Sequence, residues 1–124
     1  MEQRAQAPRV MVIEDEPLIA MGLKMVLENM GCEVPAVVDT EDAAVASAED
    51  TEFDLILADV RLKDGNDGIT AVQRILSRRE VPVLFVTGNA GEVHNRGMGH
   101  IRVLSKPFMP AALERTVRAI LDRS

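Results

Sequence analysis

The sequence predicts a doubly wound α/β domain, in which five parallel strands form one sheet with helices on both faces. Five short apolar runs alternate along the chain with longer segments of helical character, which is the order typical of a parallel sheet. Runs such as Leu55–Ala58 are continuously apolar, as expected of strands that are covered on both faces. The chain has 124 residues, of which 47% are hydrophobic, enough for one domain with its own core.

Apolar runs and the residues that bound them delimit the strands. The second run contains Pro35, which indicates an edge strand because proline cannot donate a hydrogen bond to a neighbour. The predicted strands are residues 9–14, 33–38, 54–59, 81–87 and 101–105.

Capping residues and apolar spacing delimit the helices. Pro17 stands where the first turn of a helix tolerates proline, and Gly31 suits the C-terminal end of the same helix. Asp39 or Thr40 can cap the second helix. The predicted helices cover residues 17–30, 40–49, 69–79 and a last stretch from about residue 110. Residues 88–100 carry four glycines, so a short helix from Glu92 is the most we expect there, in the most mobile part of the domain.

Composition excludes several classes of function. The net charge of −6 argues against nonspecific binding to nucleic acid or to an anionic membrane, because both need basic faces. The single cysteine, Cys32, excludes an intrachain disulfide and is expected to be a small packing residue near the end of the first helix. No apolar run approaches the ~20 residues of a membrane helix, and residues 1–8 lack the apolar stretch of a signal peptide. We expect a cytoplasmic protein without membrane insertion, with a flexible leader over residues 1–8 and one domain over residues 9–124.

Four of the predicted strands run into polar residues that make a chemical set. Glu14 and Asp15 follow the first strand, Asp59 the third, Thr87 the fourth and Lys106 the fifth. Because the carboxyl ends of parallel strands meet at one edge of the sheet, we expect three carboxylates, a hydroxyl and an ammonium to converge there. The set predicts a metal-assisted phosphoryl site.

Within this set Asp59 is the best nucleophile toward phosphorus, because it alone ends a central buried strand. A hard dication with oxygen ligands offsets the repulsion between its carboxylate and an anionic phosphoryl donor. Asp15 is predicted to bind the metal directly, and Glu14 directly or through water, since clustered carboxylates without a cation would repel one another. Thr87 and Lys106 are predicted to contact phosphoryl oxygens, and Lys106 to pair with Asp59 at rest.

The four elements Glu14-Asp15, Asp59, Thr87-Gly88 and Lys106-Pro107, in this order, resemble those of response-regulator receiver domains over nearly the whole chain. The resemblance implies a flavodoxin-like fold with strand order 2-1-3-4-5 and Mg²⁺ (or Mn²⁺) as cofactor. It also implies the backbone carbonyl of Arg61 as a metal ligand and a cis peptide bond before Pro107.

The same resemblance implies a function in two-component signalling. A sensor histidine kinase or a histidine phosphotransfer protein would pass a phosphoryl group to Asp59, and changed binding of a downstream protein would be the output. Because the chain ends just after the last helix, we expect a single-domain regulator or a phosphate sink. It would not be a metabolic enzyme, although weak Mg²⁺-dependent self-phosphorylation and self-dephosphorylation are expected.

Two positions depart from the usual receiver pattern. Val103 stands where receivers commonly carry Tyr or Phe, so a ring that moves together with Thr87 is not expected. Lys63 stands where a proline is usual. Residues 82–89 resemble a signature of stand-alone receivers from alphaproteobacteria.

Three other functions are compatible with parts of the sequence. An aspartate-nucleophile phosphohydrolase wants a second Asp two residues after the nucleophile, where this chain has Arg61. A flavin protein wants a Ser-, Thr- and Gly-rich phosphate loop, where Glu14, Asp15 and Glu16 would repel phosphate. A receiver-like scaffold that is never phosphorylated is the third. Other side chains are expected to have no part in the site: His94 and His100 as exposed residues, Met21, Met25 and Met30 as helix packing, and Arg74, Arg78 and Arg79 as a solvated face.

Overall fold

The structure is a computed structural model, and it describes residues 6–122. Most of the leader expected over residues 1–8 therefore lies outside the described residues. Pro8 lies within them, and its carbonyl accepts a hydrogen bond of 2.8 Å from the Glu33 N–H. This bond extends the hydrogen bonding between the first two strands by one residue toward the N-terminus, from Arg9 to Pro8.

Five parallel strands form one sheet in the order β2-β1-β3-β4-β5, which confirms the predicted fold class and strand order. Pro35 lies in β2, at one edge of the sheet, as its missing N–H requires. Strands β3 and β4 are buried along their whole length, and β3 has a neighbour on each side. The strands are β1 Arg9–Ile13, β2 Glu33–Val38, β3 Leu55–Ala58, β4 Val83–Thr87 and β5 Arg102–Ser105.

Helices cover both faces of the sheet, and their ends agree with the capping residues in the sequence. Gly31 follows α1 with a φ of 94°, a conformation that favours glycine. Thr40 caps α2, because its hydroxyl accepts a hydrogen bond from the Ala43 N–H. The helices are α1 Pro17–Asn29, α2 Glu41–Asp50, α3 Gly68–Leu76, α4 Ala90–Val93 and α5 Pro110–Leu121.

The helix α4 is a single turn, as the glycine-rich sequence predicted. It continues into a π-helical turn, His94–Met98, in which Gly97 has a φ of 82°. Val93 and Met98 are buried and fix this segment to the core, while His94 and His100 are exposed as expected.

The core has two layers, one on each face of the sheet. Phe85, Met11 and Ile56 pack toward α2 and α3. Leu57 and Leu84 pack toward α1 and α5, and the buried Cys32 belongs to the same layer. The sheet is thus clamped between two aliphatic layers, which hold its carboxyl edge in place.

The sequence analysis was wrong about one face of α1. Leu18, Met21 and Met25 are each more than half exposed, so Met21 and Met25 do not serve in packing as predicted. The buried residues of this helix are Ala20, Leu23 and Leu27, and the partly buried Ile19 and Val26 pack against the same layer. Met30 does pack against the core. Within residues 6–122, no helix is long and apolar enough to cross a membrane.

Candidate phosphoryl-acceptor and metal site

Lys106 joins two carboxylates that are far from it in the sequence. Its ammonium Nζ lies 2.8 Å from Asp59 Oδ2 and 3.0 Å from Glu14 Oε1. The sheet brings them together, because β1 pairs with β3 and the Asp59 N–H donates to the Ile13 carbonyl at 2.9 Å. The predicted pairing of Lys106 with Asp59 is present, and Glu14 is a second partner that the sequence analysis did not foresee.

Asp59 follows the central strand β3, and neighbouring residues hold both its backbone and its carboxylate. Its carboxylate Oδ1 accepts a 2.6 Å hydrogen bond from the Val60 N–H, and the side chain is 12% exposed. The first residue of α3, Gly68, packs so closely that a Cβ there would overlap the Asp59 carbonyl oxygen. One carboxylate edge is therefore fixed while the other faces Lys106.

Burial and hydrogen bonds together set the pKa values of Glu14 and Lys106, the two neighbours of Asp59 in this cluster. Burial raises the pKa of the Glu14 carboxyl above its ordinary value, although the hydrogen bond from Lys106 acts in the opposite direction. Burial would lower the pKa of the Lys106 ammonium, but hydrogen bonds to Asp59 and Glu14 outweigh it and leave that pKa raised. Lys106 is thus a permanent cation between the two acids at neutral pH.

Asp15 lies directly after Glu14 and is half-buried. Among the residues that the structure describes, its carboxylate has no hydrogen-bond or ion-pair partner, so its oxygens are open to a ligand. The backbone of Arg61 forms an isolated bridge with Asp67, which closes the loop after β3 into a compact turn. Its guanidinium contacts Glu92 on α4 at 3.2 Å.

These donors suit Mg²⁺ in number and charge. Within residues 6–122, no three Asp, Glu, His or Cys side chains are grouped tightly enough to hold a metal ion by themselves. Mg²⁺ does not need such a cage, because it usually takes one or two carboxylates and keeps several waters. When Glu14, Asp15, Asp59 and Lys106 are all ionised, their net charge is −2. One dication balances that charge.

Thr87 ends β4 beside Lys106. The Lys106 N–H donates to the Thr87 carbonyl at 3.0 Å, and the Thr87 hydroxyl accepts a 3.0 Å hydrogen bond from the Asn89 N–H. Its side chain is fully buried. The peptide bond between Lys106 and Pro107 is cis, the isomer that the resemblance implied.

Sequence reasoning missed a set of ion pairs around the loop after β3. Arg96 contacts Asp67 at 2.7 Å, and Lys63 contacts Asp39 at 2.8 Å. The members of each pair lie more than 20 residues apart, so periodicity within an element could not reveal them. Arg74 and Arg78, expected on a solvated face, are exposed and pair with acids of α2.

A doubly wound sheet with acids, a threonine and a lysine at four strand ends defines a signalling domain of the receiver class. The family profile of the response regulator receiver domain matches residues 10–118, and the chain belongs to this family. Membership places it in two-component signalling.

Individual relatives agree with this assignment. The chain is 37% identical over 121 residues to the phyllosphere-induced regulator PhyR of Methylorubrum extorquens, covering 93% of this chain and 44% of that protein. The chain spans about half the length of the curated relatives it matches.

Solved structures show the same fold. The solution structure of the PhyR receiver domain from Erythrobacter litoralis matches with a TM-score of 0.87 and 31% identity, covering 94% of this chain and 91% of that one. The receiver domain of the sensor histidine kinase PA1611 from Pseudomonas aeruginosa has a magnesium ion coordinated in its active-site cleft. It matches with a TM-score of 0.81 and 29% identity, over 94% of this chain and 98% of that one.

Proposed function

We propose that this protein is a cytoplasmic response regulator that accepts a phosphoryl group on Asp59. The observation that carries the proposal is the contact of Lys106 with Asp59 and Glu14 at the carboxyl edge of the sheet. There a fixed cation lies within hydrogen-bonding distance of both a nucleophilic carboxylate and a second acid. Membership of the receiver family supports the same assignment.

The reaction transfers phosphorus from nitrogen to oxygen. Asp59 Oδ attacks the phosphorus of a phosphohistidine on a donor protein; a P–O bond forms, the P–N bond breaks, and the imidazole keeps the bonding electron pair. Lys106 already contacts Asp59 Oδ2. After the transfer, its ammonium is therefore close enough to contact a negatively charged phosphoryl oxygen. The Thr87 hydroxyl accepts from Asn89 and retains its own hydrogen to donate to another oxygen.

Mg²⁺ or Mn²⁺, when bound, neutralises charge on the carboxylates and on the incoming phosphoryl group. Asp15 and Asp59 would hold it directly, Glu14 directly or through water, and the Arg61 carbonyl would complete the protein ligands. The open Asp15 carboxylate and the two unbalanced negative charges support this ligand set.

An exposed apolar surface beside the site suits a docking protein that carries the phosphohistidine. Leu18 and Met21 on α1 and Met109 before α5 are exposed. Between α1 and α5 lies a groove of about 440 Å³, which is mostly apolar and is also lined by Lys106. A sensor histidine kinase or histidine phosphotransfer protein would cover these residues while its histidine reaches Asp59. A downstream protein would then sense the phosphorylated state.

The phosphohydrolase alternative is disfavoured, because Arg61 occupies the position of the second acid and pairs with Glu92. We expect phosphorylation from small acyl phosphates such as acetyl phosphate, and slow hydrolysis of the aspartyl phosphate, without turnover of a metabolite.

The test is incubation with acetyl phosphate and Mg²⁺, followed by intact mass measurement. The wild type should gain the mass of one phosphoryl group, and Asp59→Asn should gain none. Absence of the gain in the wild type would favour the non-phosphorylated scaffold, and a gain that persists in Asp59→Asn would move the acceptor to another residue.

A further inference from the structure

Four charged side chains form a continuous line from the loop after Asp59 to α4. The Arg61 guanidinium contacts Glu92 Oε1 at 3.2 Å, Glu92 Oε2 lies 3.6 Å from Arg96, and Arg96 contacts Asp67 Oδ2 at 2.7 Å. We call this set, Arg61–Glu92–Arg96–Asp67, the α4 ion chain. Its two ends lie in the same loop, and its two middle members lie in the α4 segment.

The α4 segment depends on this ion chain more than an ordinary helix would. The helix has one turn, and its N-cap residue Asn89 makes no side-chain capping bond. Gly91 and Gly97 weaken the backbone further. Besides the ion chain, the buried side chains Val93 and Met98 and the bond from Asn89 to Thr87 hold the segment.

The two arginines differ in how firmly they are held. Arg96 is partly buried, and it contacts Asp67 at 2.7 Å and the Thr70 hydroxyl at 3.4 Å, so it anchors the far end of α4 to the start of α3. Arg61 has an exposed side chain, 70% accessible, and its one acidic partner among the described residues is Glu92, at the longer distance of 3.2 Å. Exposed pairs of this kind are weak, so Arg61 can leave Glu92 at little cost.

Resting on the proposed function, we propose that Arg61 exchanges partners when Asp59 is phosphorylated, leaving Glu92 for a phosphoryl oxygen and loosening the first turn of α4. Arg61 is two residues from Asp59, and the modification places there a phosphoryl group with up to two negative charges, a net gain of one because the carboxylate loses its own charge. Guanidinium groups bind phosphate in a bidentate manner, more strongly than a single contact to a carboxylate. Arg96 stays on Asp67, so the segment loosens at its N-terminal turn and remains anchored at its far end.

This exchange would supply a route from the site to α4 that needs no aromatic ring. Val103 lies on β5 where a ring that moves with Thr87 was not expected. The ion chain passes instead from β3 to α4 across the exposed rim of the site. The loosened turn would be the surface that a downstream protein distinguishes.

Hydrogen exchange of backbone amides tests the proposal. The protein is treated with acetyl phosphate and Mg²⁺, phosphorylation is confirmed by intact mass, and exchange is followed in peptides covering residues 88–100. In the wild type, phosphorylation should speed exchange in residues 90–93 about two- to fivefold, the range expected for loss of one exposed ion pair. In Glu92→Gln, exchange should already be fast before phosphorylation and should not increase further.

Glu49→Gln is the matched control. It removes the same charge and breaks a pair of similar length, Arg78 to Glu49 at 3.3 Å, on the α2–α3 face. This variant should respond like the wild type. A phosphorylated wild type with unchanged exchange at α4, or a Glu92→Gln variant with the full response, would overturn the inference alone. Absence of the phosphoryl mass would overturn the proposed function, and the inference with it.

Discussion

At the scale of single residues, the site is organised around the ammonium of Lys106. Glu14 is buried, and a buried carboxylate without a cation is costly. Lys106 offsets that cost and at the same time contacts Asp59, the proposed nucleophile. The resting pairing with Asp59 was predictable from the strand ends, but the contact with Glu14 was not, because a pattern in sequence does not give the depth of a side chain.

Replacement of Lys106 tests this arrangement. Lys106→Met should lower the free energy of unfolding by about 3 kcal/mol at neutral pH, because it leaves two close carboxylates uncompensated. Mg²⁺ should recover part of the loss, since a dication balances the same charges. Urea denaturation with and without Mg²⁺ measures both effects, and equal stability of variant and wild type in the absence of metal would contradict the expectation.

Asp67 gives a residue-scale prediction on pH. Its burial would raise the pKa of its carboxyl, but the hydrogen bonds from Arg96 and from the Thr70 and Ile69 N–H groups outweigh burial and leave the pKa below its ordinary value of 3.8. The unfolded chain therefore binds this proton more readily than the folded chain. The stabilisation by the Asp67 charge is complete well above pH 3.8 and is lost as the pH falls through the lowered folded value.

Asp67→Asn keeps a capping side chain but loses the charge. We expect it to be less stable than the wild type by about 1 kcal/mol at pH 7, with the difference vanishing toward pH 2. Denaturation curves across this range measure it. Asp42→Asn, at an acid that is 91% exposed, is the control. A difference between Asp67→Asn and wild type that stays constant down to the lowest pH would assign the effect to packing.

At the scale of elements, the start of α3 determines where Asp59 lies. The Gly68 N–H donates to the Val60 carbonyl at 2.6 Å, and the Gly68 Cα lies against the Asp59 carbonyl oxygen. Apolar spacing predicted α3 over residues 69–79, against Gly68–Leu76 in the structure, and gave Gly68 no part in the site. From the sequence alone, a glycine in a turn-rich loop does not reveal that another part of the backbone packs against it.

Gly68→Ala should lower the free energy of unfolding by about 2 kcal/mol, because a methyl group must displace the backbone of Asp59. It should also reduce the phosphoryl gain from acetyl phosphate. Gly22→Ala is the control: within 4 Å of its added Cβ there is no clash, and the change should raise the stability of α1 by about 1 kcal/mol. Equal stability of the Gly68 variant and wild type would show that α3 moves freely.

The elements differ in how well the sequence predicted them. The strands and α5 were predictable because apolar runs and apolar spacing point to burial. For α1 the same reasoning failed on one face: Met21 and Met25 are apolar and exposed, and composition cannot distinguish a helix that packs from one that keeps an apolar surface. The attachment of α4 was unpredictable too, because it depends on contacts between loops.

At the scale of the whole molecule, the residues that stabilise the fold are different from the residues of the candidate site. Two aliphatic layers hold the sheet, and the charged groups of the candidate site lie at its carboxyl edge. The convergence of Glu14, Asp59 and Lys106 was predictable because parallel strands align their ends. Ion pairs between loops, such as Arg96 with Asp67, were not predictable, since their partners are set only once all five strands are in register.

We predict that the uncompensated charge at this edge couples Mg²⁺ binding to the stability of the whole domain. A ligand that binds the folded state alone stabilises it by RT ln(1 + [L]/Kd), or about 1.4 kcal/mol at ten times Kd. Mg²⁺ should therefore raise the thermal midpoint in proportion to the logarithm of its concentration above Kd. Asp15→Asn should lose most of this dependence because its open carboxylate is the predicted direct ligand, whereas Asp50→Asn, at the C-terminal end of α2, should retain it. Thermal denaturation across a magnesium titration measures the slopes. Equal slopes for the two variants would exclude Asp15 as a ligand and leave Glu14 and Asp59 as the carboxylates that hold the ion.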